Sequence, residues 1–287
     1  MSPPAVTAEL TSAELREIRG PRVLGRDPRR FWRLLWHLAR FDFKLKYAGS
    51  VFGYLWSLVG PLVLFGVLYL AFTRIVRFGT GVENYAVVLL FNIMLFQFFA
   101  EATSRSLSSI VAREPLVRKM EFPRLAIPLS VVLASTFGLA IDLIVVIGFA
   151  LAAGVPVTAT WLLIPVLVLW LYAFTVGASF LLATLYVRFR DIIQIWQVLS
   201  RAMFYGSPVL FPIELFPTGW KPLLLLNPLA PLFAQARVWF VDPGAPSYAE
   251  AMGGGIYWIY PTLILVTVIA LGIWYFGRET PRAAEAL

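Results

Sequence analysis

The sequence predicts an all-helical integral membrane protein, and three observations carry that prediction. Six runs, over residues 51–72, 85–101, 125–153, 161–187, 195–211 and 256–276, are long and apolar enough to cross a membrane. A hydrocarbon core about 30 Å thick takes roughly 20 helical residues. None of the runs shows the alternating pattern of a membrane-barrel strand, so each reads as a helix that satisfies its own backbone groups. If each run crosses once, 20 of the 24 lysines and arginines fall on one side. Positive charge near span ends stays on the cytoplasmic face of the plasma membrane, so both termini are expected there.

The charges sort by segment. Ten precede the first run, from Arg16 to Lys46, and Arg105, Arg113, Arg118, Lys119 and Arg124 lie between the second and third. Arg188, Arg190 and Arg201 flank the start of the fifth, and Arg278 and Arg282 follow the sixth; only Arg74, Arg77, Lys221 and Arg237 fall on the other side. A net charge of +8 is then explained by anionic headgroups and positive-inside placement, and no nucleic-acid partner is expected. The absence of cysteine excludes disulfides, thiolate catalysis and Cys-ligated metals. The first thirty residues lack the short apolar core and small-residue cleavage site of a signal peptide, so the first span is expected to direct insertion.

Taken in order, residues 1–28 are rich in Pro, Ala, Arg and Glu and read as a mobile cytoplasmic tail. Over residues 29–48 a helical period appears, with Phe31, Leu34, Leu35, Leu38, Phe41 and Leu45 on one side and Arg33, His37, Arg40 and Lys44 on the other. Such a helix lies flat in the headgroup layer or packs on a soluble partner. Residues 51–276 form a single membrane domain, and residues 277–287 a short cytoplasmic tail. Gly49, Gly53 and Gly60-Pro61 allow a sharp turn into the first span and close packing there. After the second span the chain can form a short helix ending near Glu114-Pro115, and Pro123 and Pro128 mark re-entry. The third and fourth spans form a hairpin around Gly154 to Thr160. Pro208, Pro212, Pro217, Pro222, Pro228 and Pro231 break the chain after the fifth run. Backbone so interrupted survives at membrane depth only against protein or water. The expectation is a short fifth span followed by re-entrant or interfacial half-helices forming an outer gate; a static surface loop is the alternative.

No Gly-rich Lys-Ser/Thr phosphate loop occurs, the only histidine is His37, and no carboxylates cluster at metal-ligand spacing. Asp142 is the one acidic residue well inside a run, and an intramembrane carboxylate is functional by default. With no intramembrane base beside it, a structural hydrogen bond to a neighbouring helix is the better reading. Phe65, Tyr69 and Phe72 recur at i, i+4 and i+7 on the first span, Tyr54 and Trp56 stand at its start, and Phe204 and Tyr205 meet the broken segment. These rings are ordinary lipid and helix contacts, or they line a pore for sugar; spacing leaves both open.

Four stretches resemble the membrane subunit of type-2 ABC exporters for polysaccharides and polyol phosphates. They are Asp42-Phe43-Lys44-Leu45-Lys46-Tyr47-Ala48-Gly49-Ser50 with Leu55-Trp56 and Pro61; Lys119 with Phe122-Pro123-Arg124 and Pro128; Tyr186-Val187-Arg188-Phe189-Arg190-Asp191; and Ser207-Pro208-Val209 with Pro212 and Leu226-Asn227-Pro228-Leu229-Ala230-Pro231. The resemblance implies a homodimer of six-helix subunits around a channel, not itself an enzyme, driven by two copies of a separate ATPase. It implies no cofactor in this chain, with ATP and Mg bound by that ATPase. Residues 31–47 would be an interface helix and residues 103–118 a coupling helix docking on the ATPase through Arg113, Glu114, Arg118 and Lys119, with Arg188 and Asp191 as a second contact. Tyr54, Phe65, Tyr69, Phe204 and Tyr205 would line the channel. Arg40, Lys44 and Lys46 would meet the diphosphate of a polyprenyl-linked glycan or lipid headgroups. The basic tail and short chain are similar to mycobacterial-type galactan exporters, with teichoic acid, O-antigen and capsule as the other cargoes left open. An exporter of drugs or lipids in the same architecture, and a membrane enzyme acting on polyprenyl-linked sugars, are the competing readings.

Overall fold

The computed structural model describes residues 28–48, 52–77, 82–115, 123–216, 219 and 221–286, and among these every regular element is a helix. Helix α1 spans Pro28–Tyr47, with proline in its first position, where its missing N–H costs nothing. Phe31, Leu35, Ala39 and Asp42 form its buried stripe. Trp32, Trp36, Phe41 and Leu45 are exposed. The apolar side read from the sequence therefore divides into one stripe packed on protein and another left open, as a helix needs when it lies between a bundle and a membrane surface.

Helix α2 (Gly53–Leu70) continues into a π-helical turn at Ala71–Ile75. Helix α3 spans Tyr85–Leu107, the one-turn α4 Ser109–Ala112, and α5 Ala126–Ala152. Helix α6 (Ile164–Arg188) follows a 3₁₀ turn at Ala159–Leu163, and α7 is Ile192–Tyr205. The short helices α8 (Lys221–Leu225), α9 (Ala230–Phe240) and α10 (Tyr248–Met252) precede the terminal helix α11 (Ile259–Ala286).

Helix α3 is the axis of the bundle: 78% of its most apolar stretch is buried, against 11% for α2 and for α11. Helices α5, α6, α2, α7 and α9 pack around it, and α11 lies against α6. Aromatic rings fill the centre, with Phe99 stacked on Phe174 at 5.4 Å and Phe91 against Phe240 at 4.6 Å. The α6–α11 crossing is closed by glycine on both sides. A Cβ on Gly177 would stand 2.7 Å from the Ile269 Cα, and one on Gly272 would collide with the Gly177 carbonyl oxygen. Small residues at such a crossing let two backbones meet where lipid supplies no hydrophobic drive.

Three element boundaries in the structure differ from the runs read in the sequence. Among the described residues five helices are long and apolar enough to cross a membrane, where the sequence shows six apolar runs. The fifth run yields only the 14-residue α7, about 21 Å at 1.5 Å per residue. It stops at Tyr205 because Gly206 and Pro208 follow. The second run does not end at residue 101 but continues to Leu107, because Thr103 returns its hydroxyl to the Phe99 carbonyl at 2.7 Å and stays buried in the helix. Residues 103–107 of the segment expected to couple therefore belong to α3. The expected C-terminal tail continues α11 to Ala286, through a run of alanines that favours helix. The expected N-terminal tail (1–27 of it) and residues 116–122 lie outside the described residues.

The broken segment is held by side chains of the bundle. Tyr85 donates its hydroxyl to the Leu210 carbonyl at 2.9 Å, and the Asn92 amide donates to the Pro208 carbonyl at 3.1 Å. The Asn227 amide reaches the Ser207 hydroxyl at 2.6 Å and the Gly206 carbonyl at 3.3 Å, while its oxygen accepts from the Leu229 N–H at 3.0 Å. These bonds replace the ladder that prolines and turns interrupt, which is the condition for irregular backbone beside lipid. Helix α9 follows directly and buries Phe233 and Phe240 against α3 and α6.

Candidate functional site: a polar wall on α3 and α7

Helix α7 buries one side and leaves open a polar stripe flanked by the exposed apolar residues Ile195, Val198 and Leu199. Trp196, Ser200 and Phe204 face α3, with the Trp196 indole N–H on the Thr103 hydroxyl at 3.1 Å and the Phe204 ring 5.0 Å from Phe96. Gln194, Gln197, Arg201 and Tyr205 are exposed. At 3.6 residues per turn these four fall within about a quarter of the helix circumference. On α3 the neighbouring stripe carries Gln97 and Ser104, both exposed, and Glu101, a quarter exposed. Helices α2 and α7 both pack on α3.

On the apolar helices α2, α6 and α11 most exposed side chains are apolar, among them Val63, Val67 and Leu70 on α2, Val166 and Leu169 on α6, and Leu263, Val266 and Ile273 on α11. Such faces suit lipid. An arginine and three glutamines do not, since polar groups at membrane depth turn to protein or to water.

At its α1 end the wall meets a second polar cluster. Glu101 accepts from Lys46 at 2.5 Å and from Arg105 at 3.3 Å, one turn along the same helix. The Tyr54 hydroxyl donates to Asp142 Oδ1 at 2.7 Å, with the Gly138 carbonyl oxygen as a second acceptor at 3.0 Å. Asp142 thus makes the hydrogen bond to a neighbouring helix expected of it. Lys46, Glu101, Tyr54 and Asp142, together with Tyr47, Ser57 and Ser135, line a cavity of about 30 Å³. The Tyr47 and Ser135 hydroxyls are buried without a protein partner, and a water in this space would serve both. The cavity beside Pro208 and Arg237, at the opposite end, is about 10 Å³. Neither approaches the 300–1,000 Å³ typical of a small-molecule site. A sugar polymer has no room in either.

The residues expected to line a channel are mostly turned inward. Tyr54 is engaged with Asp142, Phe65 stacks on Tyr69 at 5.7 Å and meets Phe149 edge-on at 5.8 Å, and Phe204 is buried. Tyr205 alone of the five is largely exposed, at 62%. The aromatic period on α2 reflects packing on the protomer's own helices, where i, i+4, i+7 spacing places residues when a helix has one buried side. Gln194, Gln197 and Arg201, exposed on α7, were legible as polar residues at helical spacing inside an apolar run.

Among the expected ATPase contacts, Arg188 and Asp191 stand exposed at the α6–α7 turn, the Arg188 guanidinium over the Phe189 ring at 5.5 Å. Glu114 follows α4, and Arg118 and Lys119 lie outside the described residues. Arg113 turns toward α1 and bonds Asp42. Arg40 and Lys44 are exposed on α1, whereas Lys46 is held by Glu101 and is not a free cation.

Among the described residues the helical bundle leaves a polar stripe open on its outside, and its two described cavities are water-sized. The family described as ABC-2 type transporter matches residues 33–241, and the chain belongs to that membrane family. It is similar to O-antigen export system permease proteins RfbA of Klebsiella pneumoniae, 31% identical over 247 residues that cover 86% of this chain and 92% of the relative. A protein of the same name from Myxococcus xanthus is 29% identical over 225 residues, 76% of this chain and 84% of its own length.

Proposed function

We propose that the chain is the channel-forming permease subunit of an ATP-driven exporter that carries a polysaccharide outward across the plasma membrane. The observation that carries this reading is the polar wall of α3 and α7, exposed on a protomer whose other long faces are apolar. Amide and guanidinium groups there suit a hydrated path, and sugar hydroxyls suit them as partners. Because the internal cavities are water-sized, the path requires a second copy, so the working unit is a homodimer with its two walls facing one conduit. The names of the O-antigen relatives support a polysaccharide cargo.

In this reading both termini are cytoplasmic, α7 with the broken segment behind it completes a sixth passage, and α8 to α10 form the outer gate. Two copies of a separate ATPase bind ATP and Mg and dock on the α4 segment and on Arg188 and Asp191. Closure of the ATPase pair rocks those contacts and parts the walls, a rigid-body switch. The cargo is a glycan on a polyprenyl diphosphate, which meets Arg40 and Lys44 as it approaches; galactan is the narrower candidate.

The test is co-purification with the ATPase encoded beside the gene, followed by ATP turnover with lipid-linked galactan from the same cells. A stable complex with equal subunit numbers and glycan-stimulated hydrolysis is expected. A complex indifferent to galactan but stimulated by another glycan overturns the galactan assignment alone, and no complex at all overturns the exporter reading.

A further inference from the structure

Asp42 is the one charged residue on the buried stripe of α1, 4% exposed, and the polar wall makes no use of it. Both of its carboxylate oxygens are occupied. Arg113 donates to Oδ1, and the Ser130 hydroxyl lies 2.9 Å from Oδ2. The other terminal nitrogen of Arg113 reaches the same Ser130 hydroxyl at 3.1 Å, closing a triangle of side chains. The three residues come from three elements: α1, the turn that ends α4, and the first turns of α5. Beside the triangle, Phe31 and Leu35 of α1, Ile110 of α4 and Ile127 of α5 share one apolar cluster.

An apolar cluster alone would hold these elements together. A buried ion pair is commonly no better for stability than apolar residues of the same volume, so its presence calls for another account. What the pair adds is orientation. A planar guanidinium that must satisfy a carboxylate and a hydroxyl at once admits a single register, whereas leucine against leucine slides. The register it sets is that of α1 relative to the α3–α5 connection.

We infer that Asp42, Arg113 and Ser130 are positioning residues that join α1 rigidly to the α4 segment, so that displacement of that segment is delivered to α1 and α5 as one body. This rests on the reading that a separate ATPase acts on the α4 segment. A push on a greasy contact would dissipate in local sliding; a push on a locked triangle moves α1, and with it the start of α2.

The test uses the full chain assembled with its ATPase. Asp42→Asn keeps the shape and removes the charge, and the double variant Asp42→Leu with Arg113→Met keeps an apolar filling that retains the fold. Polymer exported per ATP hydrolysed is expected to fall roughly tenfold in the double variant while assembly persists, on the scale of measured coupling between sites. Spin labels at Arg40→Cys and Ala112→Cys, both exposed positions in a chain without cysteine, are expected to give one narrow distance with the triangle intact and a broad one without it. Normal export per ATP in the double variant, or an unchanged label distance, would overturn the inference while leaving the exporter reading in place. Failure of the unaltered chain to assemble with the ATPase would instead remove the premise.

Discussion

Between α2 and α5 a tyrosine hydroxyl and a carboxylate, both part-buried, meet at 2.7 Å, and each is the partner the other needs. Tyr54→Phe keeps the ring against Tyr47 and leaves Asp142 short of a donor, which costs about 1–3 kcal/mol for a buried group. Thermal unfolding of the purified protein in detergent should show this loss, and Asp142→Asn should cost less in the Tyr54→Phe background than alone, since the two act as a unit. Equal effects in both backgrounds would separate them. Asp142 was conspicuous in the sequence as a lone acid in an apolar run, but its partner was not, because 88 residues separate the two. Asp42 was harder still. It sits at a helical interval from Leu35 and Ala39, yet beside Lys44 and Arg40 it reads as one more surface charge.

At the scale of elements, α6 and α11 illustrate how little space a helix crossing leaves. Gly272→Ala would place a methyl group against the Gly177 carbonyl, a backbone atom that cannot turn aside. Overpacking of this kind costs roughly 1–3 kcal/mol. Gly148→Ala, where nothing lies within 4 Å, should instead be neutral or stabilising. The pair can be compared by folded yield and midpoint of thermal unfolding, and a Gly272→Ala protein as stable as the Gly148→Ala protein would contradict the crossing described. The long apolar runs were legible because 20 residues of hydrophobicity allow one solution in lipid. Helix α7 was not, since its run counted residues past Tyr205 as helix. The backbone there depends on Tyr85 and Asn92, more than a hundred residues away.

For the whole molecule the decisive question is which surface meets water. The chain contains no cysteine, so a single introduced thiol can be followed without background. In the assembled exporter Gln194→Cys, Gln197→Cys and Arg201→Cys should react with a membrane-impermeant thiol reagent, whereas Leu169→Cys and Leu263→Cys, on the apolar faces, should not. Equal protection of both sets would take the conduit away from α7. Composition, run length and the one-sided distribution of arginine and lysine determined by themselves that this is a helical membrane protein, because insertion into lipid is governed by hydrophobicity and charge that each segment carries alone. Only the tertiary structure decided that the aromatic period of α2 packs inward, that the polar side of α7 is the open one, and that Arg113 is spent on Asp42. Those outcomes depend on which faces other helices cover, and a helical period marks a side of a helix without saying what stands against it.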